Sequence, residues 1–318
     1  MQCSSHLKQW ALASHNHHDA RKILPAMKTR SKHVSSVLRF GPNYALLPYM
    51  EQTPLFEIAS EMENPWPSVD QNHAVAQNIT PLRCPSDTFG KTSSTIDSRR
   101  QAVTNIVVCR GDTTTHDGPR DGAEGYGGTR GLFYFAEERG LEFAQDGTSN
   151  TILISETVVP SGRGTTEFRG GIARFTSSAT LDTGSWNHNP SPCMNIPKKG
   201  NSFSVDTGSP VQALNQWRNA RFLDGRIVFS GFNTILPPNA VNCVWADSEN
   251  SNGFFTASSN HTGGVNAARA DGSVSFVTDS VSTNGLPAAR QGRHLQGESP
   301  YGVWGAMGTP KGGESQTL

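Results

Sequence analysis

Glycine and proline recur along almost the whole chain and limit the length of its helices and strands. The 318 residues include 32 glycines and 19 prolines, which follow no fixed repeat. Glycine weakens the interior of a helix or strand, and proline removes a backbone hydrogen-bond donor. This distribution predicts short strands and many loops, and it excludes a helical bundle or a collagen-like repeat.

The N-terminal segment is the exception, because residues 4–20 contain neither glycine nor proline. Leu7, Trp10, Ala11 and Ser14 fall on one stripe at helical spacing. We therefore predict an amphipathic helix over this range.

Two shorter helices are predicted downstream. One should begin at Thr53 as the N-cap, with Pro54 at the first helical position, and end before Asn64. Ser68 and Gln71 have the spacing of a capping box, which predicts a third helix ending near Asn78.

Beyond residue 81 the chain alternates between β-rich runs and turns. Strands are predicted at residues 103–109, 132–135, 151–155, 167–175, 226–229, 265–270 and 273–277. Helices followed by these strands predict an α+β fold.

The strongest local signal is Asp271-Gly272, which separates two runs of alternating apolar and polar residues. Asp-Gly suits a two-residue turn in which both residues have positive φ. The sequence therefore predicts a C-terminal hairpin within residues 260–280.

The charge balance bears on partners. Lysine and arginine total 27, aspartate and glutamate total 27, and charged residues make up 17% of the chain. Because phosphate binding requires surplus basic residues, we do not expect a nucleic-acid binder. Residues 1–39 carry a local basic excess, which fits either a surface complementary to the acidic residues 40–70 or a basic arm.

Export and membrane signals are missing from the sequence as given. Residues 1–24 lack the apolar run of a signal peptide, and nowhere are there the roughly 18 consecutive apolar residues of a spanning helix. We therefore expect neither a signal peptide nor a transmembrane segment in this chain.

Five cysteines are widely spaced, at positions 3, 84, 109, 193 and 243, without a CxxC pair. This spacing argues against a zinc ribbon. In an oxidising compartment two disulfides and one spare thiol would form, in any combination, whereas in a cytosol all five would stay reduced. The residues alone leave these alternatives open.

Two patterns resemble cation sites. On a helix His15, His18 and Asp19 share a face, although a structural role at the helix C-terminus is the favoured alternative. Aspartates precede glycines at positions 146, 224 and 271, which is typical of tight turns, with calcium binding as the less favoured alternative. We therefore assign no cofactor and no metal ligand.

Catalytic and nucleotide-binding motifs fail at required positions. Gly90-Lys91-Thr92 resembles the end of a phosphate loop, but Pro85 occupies the position of its leading glycine. HExxH is absent, and the segment beginning at Gly147 lacks the closing glycine of a nucleophile elbow. We assign no catalytic residue and do not expect an enzyme.

Several segments occur in a characteristic order. They cover residues 3–19, 46–52, 82–87, 146–153 and 301–314, and His261 is followed after nine residues by Asp271-Gly272. Together they resemble a large prepilin-like family of unknown function that is expanded in planctomycete-type bacteria. The C-terminal part is similar to the prepilin-type processing-associated domain, which is named for the His-x9-Asp-Gly spacing.

The resemblance implies a pilin-like fold, in which a long N-terminal helix lies against a mostly antiparallel sheet, here enlarged by β-rich insertions. It places a helical region in residues 1–80 and a β-rich head in residues 81–318, within one continuous domain. Family members usually begin with a basic leader and about 20 apolar membrane-anchoring residues. This chain starts just after that segment.

The resemblance also identifies motif residues. We interpret His261, Asp271 and Gly272 as a folding staple of the hairpin and not as a catalytic pair. Ten positions along a continuous strand span roughly 33 Å, which is too far for direct contact between His261 and Asp271.

Two other matched blocks carry expectations. Asp146, Gly147 and Asn150 are family positions with a structural or processing-associated role. Cys3 and Cys84 both lie in matched blocks, so we expect them to face each other as a disulfide.

The function implied by the resemblance is that of a noncatalytic cell-envelope or extracellular protein. It would be related to type II secretion pseudopilins and type IV pilins and act through protein contacts. The alternative is a soluble or surface-displayed module that binds a carbohydrate or another solute. The observation behind this alternative is the presence of six tryptophans, including Trp186, Trp217 and Trp245. Their rings either stack on sugars or pack in the core.

Overall fold

The fold combines one long N-terminal helix with sheets of short strands, and it is therefore α+β, as predicted. The computed structural model describes residues 1–31, 38–65, 73–76, 78–87, 102–114, 128–134, 138–162, 164–182, 187–206, 209–214, 218–249, 251–290 and 295–314. Within these ranges the helices are α1 (Gln2–Arg21), α2 (Pro42–Leu46), α3 (Thr53–Ser60), α4 (Ser191–Met194), α5 (Ile227–Ser230) and α6 (Gly302–Gly308).

The strands in these ranges are two to six residues long, as the glycine and proline content predicts. They are β1 (Ile106–Cys109), β2 (Ile152–Glu156), β3 (Ile172–Phe175), β4 (Asn187–His188), β5 (Lys198–Lys199), β6 (Ser202–Phe203), β7 (Val211–Ala213), β8 (Gly231–Phe232), β9 (Asn242–Val244), β10 (Gly253–Phe254), β11 (Gly264–Arg269), β12 (Val274–Thr278) and β13 (Ala289–Arg290).

The N-terminal helix α1 confirms the predicted stripe. Leu7, Trp10, Ala11 and Ser14 are all buried, and the helix extends slightly beyond the predicted residues 4–20 at both ends. It ends at Lys22, whose positive φ of 62° turns the chain away and whose N–H donates to the His18 carbonyl.

Two sheets carry most of the paired strands. A five-stranded sheet has the order β12-β11-β2-β1-β8, and a four-stranded sheet has the order β10-β9-β3-β7. Their pairs are antiparallel except β1 with β8 and β3 with β9, which are parallel.

The five-stranded sheet is covered on both faces. Val108, Ile154 and Ala268 are paired neighbours in register and belong to the same apolar core as Leu7 and Trp10 of α1. The alternate positions point the other way and pack with Trp304 and Met307 of α6; they include Val107, Ala267 and Val277. Strand alternation therefore places α1 and α6 on opposite faces of the sheet.

The predicted C-terminal hairpin is present as β11 and β12, which pair from Gly264–Thr278 to Ala268–Val274. The predicted two-residue turn is wrong. The Gly272 N–H donates to Arg269 O, and the Arg269 N–H donates to Ser273 O, so three residues form the loop. Within this loop only Gly272 has positive φ, at 83°. A type I turn followed by a left-handed glycine is the usual three-residue connection in a hairpin.

Other local predictions need correction. Residues 226–229 do not form a strand, since Ile227–Ser230 is the short helix α5. Residues 132–134 have no strand pairing, and residue 135 lies outside the described residues. The strand predicted over residues 167–175 is confined to β3, with one isolated bridge at Glu167.

The predicted helix ends also differ. Helix α3 begins at Thr53, so its N-cap is Gln52 and not Thr53, and it stops at Ser60, before the expected boundary. Of the third predicted helix the structure describes His73–Ala76, which form a 3₁₀ turn, whereas residues 68–72 and 77 lie outside the described residues.

None of the helices in the described part of the chain combines the length with the apolar character needed to cross a bilayer.

Candidate functional site

Four side chains from distant parts of the chain converge beside the first turn of α1. They are Cys3, Cys84, Glu156 and His261, and one potential ligand atom from each lies within 4.8 Å of all the others. Three of the residues are buried and His261 is half-buried, so the cluster lies at the edge of the core.

The two cysteines form a disulfide between α1 and the segment that follows residue 82. Cys3 and Cys84 have their Cα atoms 4.8 Å apart. The Cys84 N–H donates to Asn105 Oδ1 at 3.0 Å, which fixes this segment against the residues leading into β1. The disulfide therefore ties the start of α1 to the sheet region.

Glu156 ends β2 on the face of the sheet that α1 covers, and its side chain is almost fully buried. Its Oε2 accepts the Asn266 N–H at 2.8 Å, and its Oε1 accepts from Asn266 Nδ2 at 3.1 Å. These donors stabilise a carboxylate that burial would otherwise make costly.

His261 reaches the same carboxylate from the loop before β11. Its Nε2 lies 3.1 Å from Glu156 Oε1 and 3.8 Å from Cys84 Sγ, which is also 3.8 Å from Glu156 Oε1. The His261 N–H donates to Ser259 Oγ at 3.0 Å, which holds the loop in place. The family-motif histidine therefore belongs to this cluster.

The other half of the motif lies at the far end of the hairpin. Asp271 Oδ1 accepts from the N–H and the hydroxyl of Ser273, so its bonds close the turn. A methyl group built on Gly272 would approach His15 Nε2 of α1 to 3.7 Å. The two ends of the motif thus lie near different turns of α1, His261 near Cys3 and Gly272 near His15.

The matched block before β2 is also a turn. Gly147 has a φ of 104°, and Asn150 Nδ2 donates to the Asp146 carbonyl at 2.8 Å. Both carboxylate oxygens of Asp146 accept the Gly313 N–H at 3.1 Å. This block therefore holds the C-terminal segment against the start of the sheet.

The histidine cluster of α1 is spread over different partners. His18 Nε2 accepts the Leu141 N–H at 3.2 Å and lies 3.6 Å from Glu142 Oε2, whereas His15 faces Gly272. Among the described residues, these side chains are not part of the four-residue ligand cluster.

The remaining Asp-Gly pair carries an ion pair. Asp224 is buried and accepts two hydrogen bonds from the Arg39 guanidinium, at 3.1 and 2.6 Å. Arg39 belongs to the basic N-terminal segment, and its partner here lies outside the acidic residues 40–70.

The other cysteines lie apart from the cluster. Cys193 and Cys243 form a second disulfide, with their Cα atoms 6.1 Å apart. Cys109 is a free buried thiol, and burial raises its pKa to about 12. A thiol with that pKa is a poor nucleophile and metal ligand at neutral pH.

The cluster offers two kinds of chemistry. In the oxidised state a histidine–carboxylate pair lies against a structural disulfide. In the reduced state the same atoms provide two sulfurs, one imidazole nitrogen and one carboxylate oxygen, which are the donor types that proteins use for zinc.

Glu156 was not anticipated from the sequence. It ends an apolar run, has no motif around it, and lies far from the other three residues along the chain. Only the pairing of β2 with β11 brings it to His261.

The tryptophans yield no row of exposed rings in the described residues. Trp10 and Trp304 are fully buried, and the half-buried Trp245 packs against His188 and Phe254. Trp186 and Trp217 lie outside the described residues.

A family model described as "Protein of unknown function (DUF1559)" matches residues 1–284. No curated protein and no solved structure matches this sequence.

Proposed function

This chain belongs to the DUF1559 family of proteins of unknown function, and from that premise we propose that it is a noncatalytic cell-envelope protein resembling pilins and pseudopilins. It acts through contacts with other proteins of a secretion or pilus-like assembly.

The observation that carries this proposal is the attachment of α1 to the head. The helix is joined to the sheet region through Cys3 and Cys84 at its first turn, and His15 lies near Gly272 of the hairpin turn. Between these points Leu7, Trp10 and Ala11 are buried in the main core. A helix bonded at its first turn and buried along one face moves with the head as one unit, as a subunit of an assembly requires.

The opposite face of α1 is available for contacts. Leu12 is 61% exposed on this helix, and the polar residues Lys8, Gln9 and Asn16 are exposed on the same side. A large apolar side chain among polar ones is a suitable centre for a protein contact. We place the contact with the neighbouring envelope protein here.

Photo-crosslinking in the native bacterium tests the proposal. A photoreactive amino acid replaces Leu12, and the matched control carries it at Lys199, which is exposed on β5. We expect the protein in the envelope fraction, with adducts to envelope proteins at position 12 and not at position 199. Recovery in the cytosol, or equal adduct yields at both positions, would contradict the proposal.

A polar cavity supports the second candidate, a solute-binding module. It has a volume of about 400 Å³ and its lining includes Asp87, Glu167, Phe168, Arg169 and Lys198. Lys198 Nζ lies 4.8 Å from the centre of the Phe168 ring. An aromatic ring among charged groups is a suitable surface for a sugar.

Calorimetric titration with a panel of mono- and oligosaccharides separates the two candidates. If the binding module is correct, at least one sugar binds, Phe168→Ala weakens its binding at least tenfold, and the control Phe276→Ala on β12 does not. Absence of binding across the panel, or equal effects of the two variants, would count against this candidate.

A further inference from the structure

We propose that Cys3, Cys84, Glu156 and His261 form a Zn²⁺ site when the two cysteines are thiols. The disulfide and the metal site are then alternative states of the same four residues. This inference does not rest on the proposed envelope function, which uses the disulfide state of the same cysteines.

Three of the four donor atoms have separations that fit a tetrahedral ion. Zinc lies about 2.0 to 2.3 Å from nitrogen, oxygen and sulfur ligands, so two ligands of a tetrahedral site lie roughly 3.2 to 3.8 Å apart. Here the three separations among His261 Nε2, Glu156 Oε1 and Cys84 Sγ are 3.1, 3.8 and 3.8 Å. The Cys3 sulfur lies within 4.8 Å of the other donor atoms. It is bonded to the Cys84 sulfur in the disulfide, and after reduction the two sulfurs must move about 1.7 Å farther apart to reach the spacing of a zinc site.

The type of donor selects the ion. Thiolates and an imidazole favour zinc over the hard cations magnesium and calcium, which prefer oxygen. Four protein ligands fill a tetrahedral zinc shell and leave no position for water, as in structural sites and unlike catalytic ones.

The surroundings hold the ligands in place. Asn266 bonds both oxygens of Glu156, and Ser259 accepts the His261 N–H. The site is largely buried, with Cys3 4%, Cys84 7% and Glu156 2% exposed. Groups that orient metal ligands in this way contribute substantially to affinity.

In the disulfide state the hydrogen-bond partners of the Glu156 carboxylate are Asn266 and His261. The disulfide form has no S–H group to donate to Glu156 Oε1, although this oxygen lies 3.8 Å from Cys84 Sγ. When both cysteines are thiols, Zn²⁺ binding needs no redox step. The two thiols release two protons, and two sulfur–zinc bonds form. The negative charges of two thiolates and one carboxylate then face the ion.

Metal analysis of the full chain tests the site. The protein is purified with a phosphine reductant, supplied with Zn²⁺, freed of excess metal and measured by mass spectrometry. We expect about one zinc per chain, and visible absorption with thiolate-to-metal charge-transfer bands when Co²⁺ replaces Zn²⁺. The protein oxidised before metal addition should bind none.

Variants assign the ligands. His261→Ala and Glu156→Gln should each weaken Zn²⁺ binding at least tenfold, and Asn266→Ala by about tenfold, through the orientation of Glu156. The control Cys193→Ser/Cys243→Ser removes the other cysteine pair and should leave the stoichiometry unchanged. Circular dichroism of the reduced, metal-free proteins separates loss of binding from loss of folding.

Two results would overturn the inference. One is reduced protein with a native circular dichroism spectrum that holds no zinc. The other is zinc that remains in folded His261→Ala and Glu156→Gln but disappears from Cys193→Ser/Cys243→Ser, because the metal would then lie at the second cysteine pair.

Discussion

His261 Nε2 lies 3.1 Å from Glu156 Oε1, although 105 positions separate the two residues in the sequence. Strand pairing explains the contact, because Ser155 on β2 lies opposite Ala267 on β11, and the side chain of the adjacent Glu156 accepts the N–H of Asn266 at the start of β11. The motif histidine is thus bonded to the sheet, while Asp271 bonds within its own turn.

The two ends of the motif should therefore differ in their contribution to stability. His261→Ala removes a hydrogen bond to a buried carboxylate and should lower the free energy of unfolding by about 1.5–3 kcal/mol. Asp271→Ala removes only exposed bonds and should cost less than about 1 kcal/mol. Urea unfolding of the oxidised proteins measures both losses in the free energy of unfolding. Equal losses would show that the hydrogen bond to Glu156 adds no more stability than the exposed bonds of Asp271.

Removal of the Cys3–Cys84 disulfide should have a large effect. This bond closes a loop with a sequence separation of 81. Cys3→Ser should lower the free energy of unfolding by about 2–4 kcal/mol, because the unfolded chain gains conformational freedom. Denaturant titration without reductant checks this, and a change below about 0.5 kcal/mol would mean that the disulfide does not form in solution.

Gly272 should tolerate few replacements. Its φ of 83° is unfavourable for residues with a Cβ atom, so Gly272→Ala should destabilise the hairpin by about 1–2 kcal/mol. Gly272→Asn should cost less, since asparagine adopts this conformation more readily. Thermal unfolding of the two variants tests the order, and an equally stable alanine variant would contradict the turn described above.

The stability of the protein should depend on pH through His188. Burial lowers the pKa of His188 to about 4, while Asp182 opposes this shift. Folding therefore favours the neutral ring, and the stability it contributes above pH 6.5 is lost as the pH falls toward 4. The loss is on the order of 3 kcal/mol.

Urea unfolding at several pH values between 7 and 4 measures this loss, which should be smaller in His188→Gln. Asp112→Asn is a control that should change the pH dependence of stability in the opposite direction. Burial raises the pKa of Asp112 to about 6, against the effect of Arg130, so the wild-type carboxyl group favours folding at low pH. The Asp112→Asn variant should lose stability more steeply on acidification than the wild type, and the prediction fails if all three proteins respond alike.

The buried ion pair of Asp224 should matter more than an exposed one. Asp224→Asn removes two charge-assisted hydrogen bonds of the buried Arg39 guanidinium, which keeps its contact with Glu249 Oε1 at 2.8 Å, and should cost about 1.5–3 kcal/mol. Asp247→Asn disrupts the exposed pair with Arg174, whose atoms are 3.9 Å apart, and should change stability by less than about 0.5 kcal/mol. Similar effects in chemical denaturation would refute this difference.

Sequence periodicity predicted α1 because its evidence is local. Leu7, Trp10, Ala11 and Ser14 recur at the helical repeat, and no glycine or proline interrupts them. The C-terminal hairpin was predicted for the same reason, since its alternating residues and its Asp-Gly turn are adjacent in the chain.

The segment at residues 226–229 shows why other predictions failed. Its apolar, β-branched residues favour a strand, but the Arg218 guanidinium donates to the carbonyls of Ile227, Val228 and Gly231. These bonds come from outside the segment and stabilise a helical turn. The cluster around Glu156 depends in the same way on contacts between distant segments, so its acidic member could not be identified from spacing.

The Cys3–Cys84 bond also makes the first part of the chain a covalent ring. A protease that cuts the backbone once between these cysteines would leave the two fragments attached to each other. In denaturing gel electrophoresis the nicked protein would migrate as one species until a reductant separates the two fragments. Cleavage in this region would therefore not release a fragment in an oxidising environment.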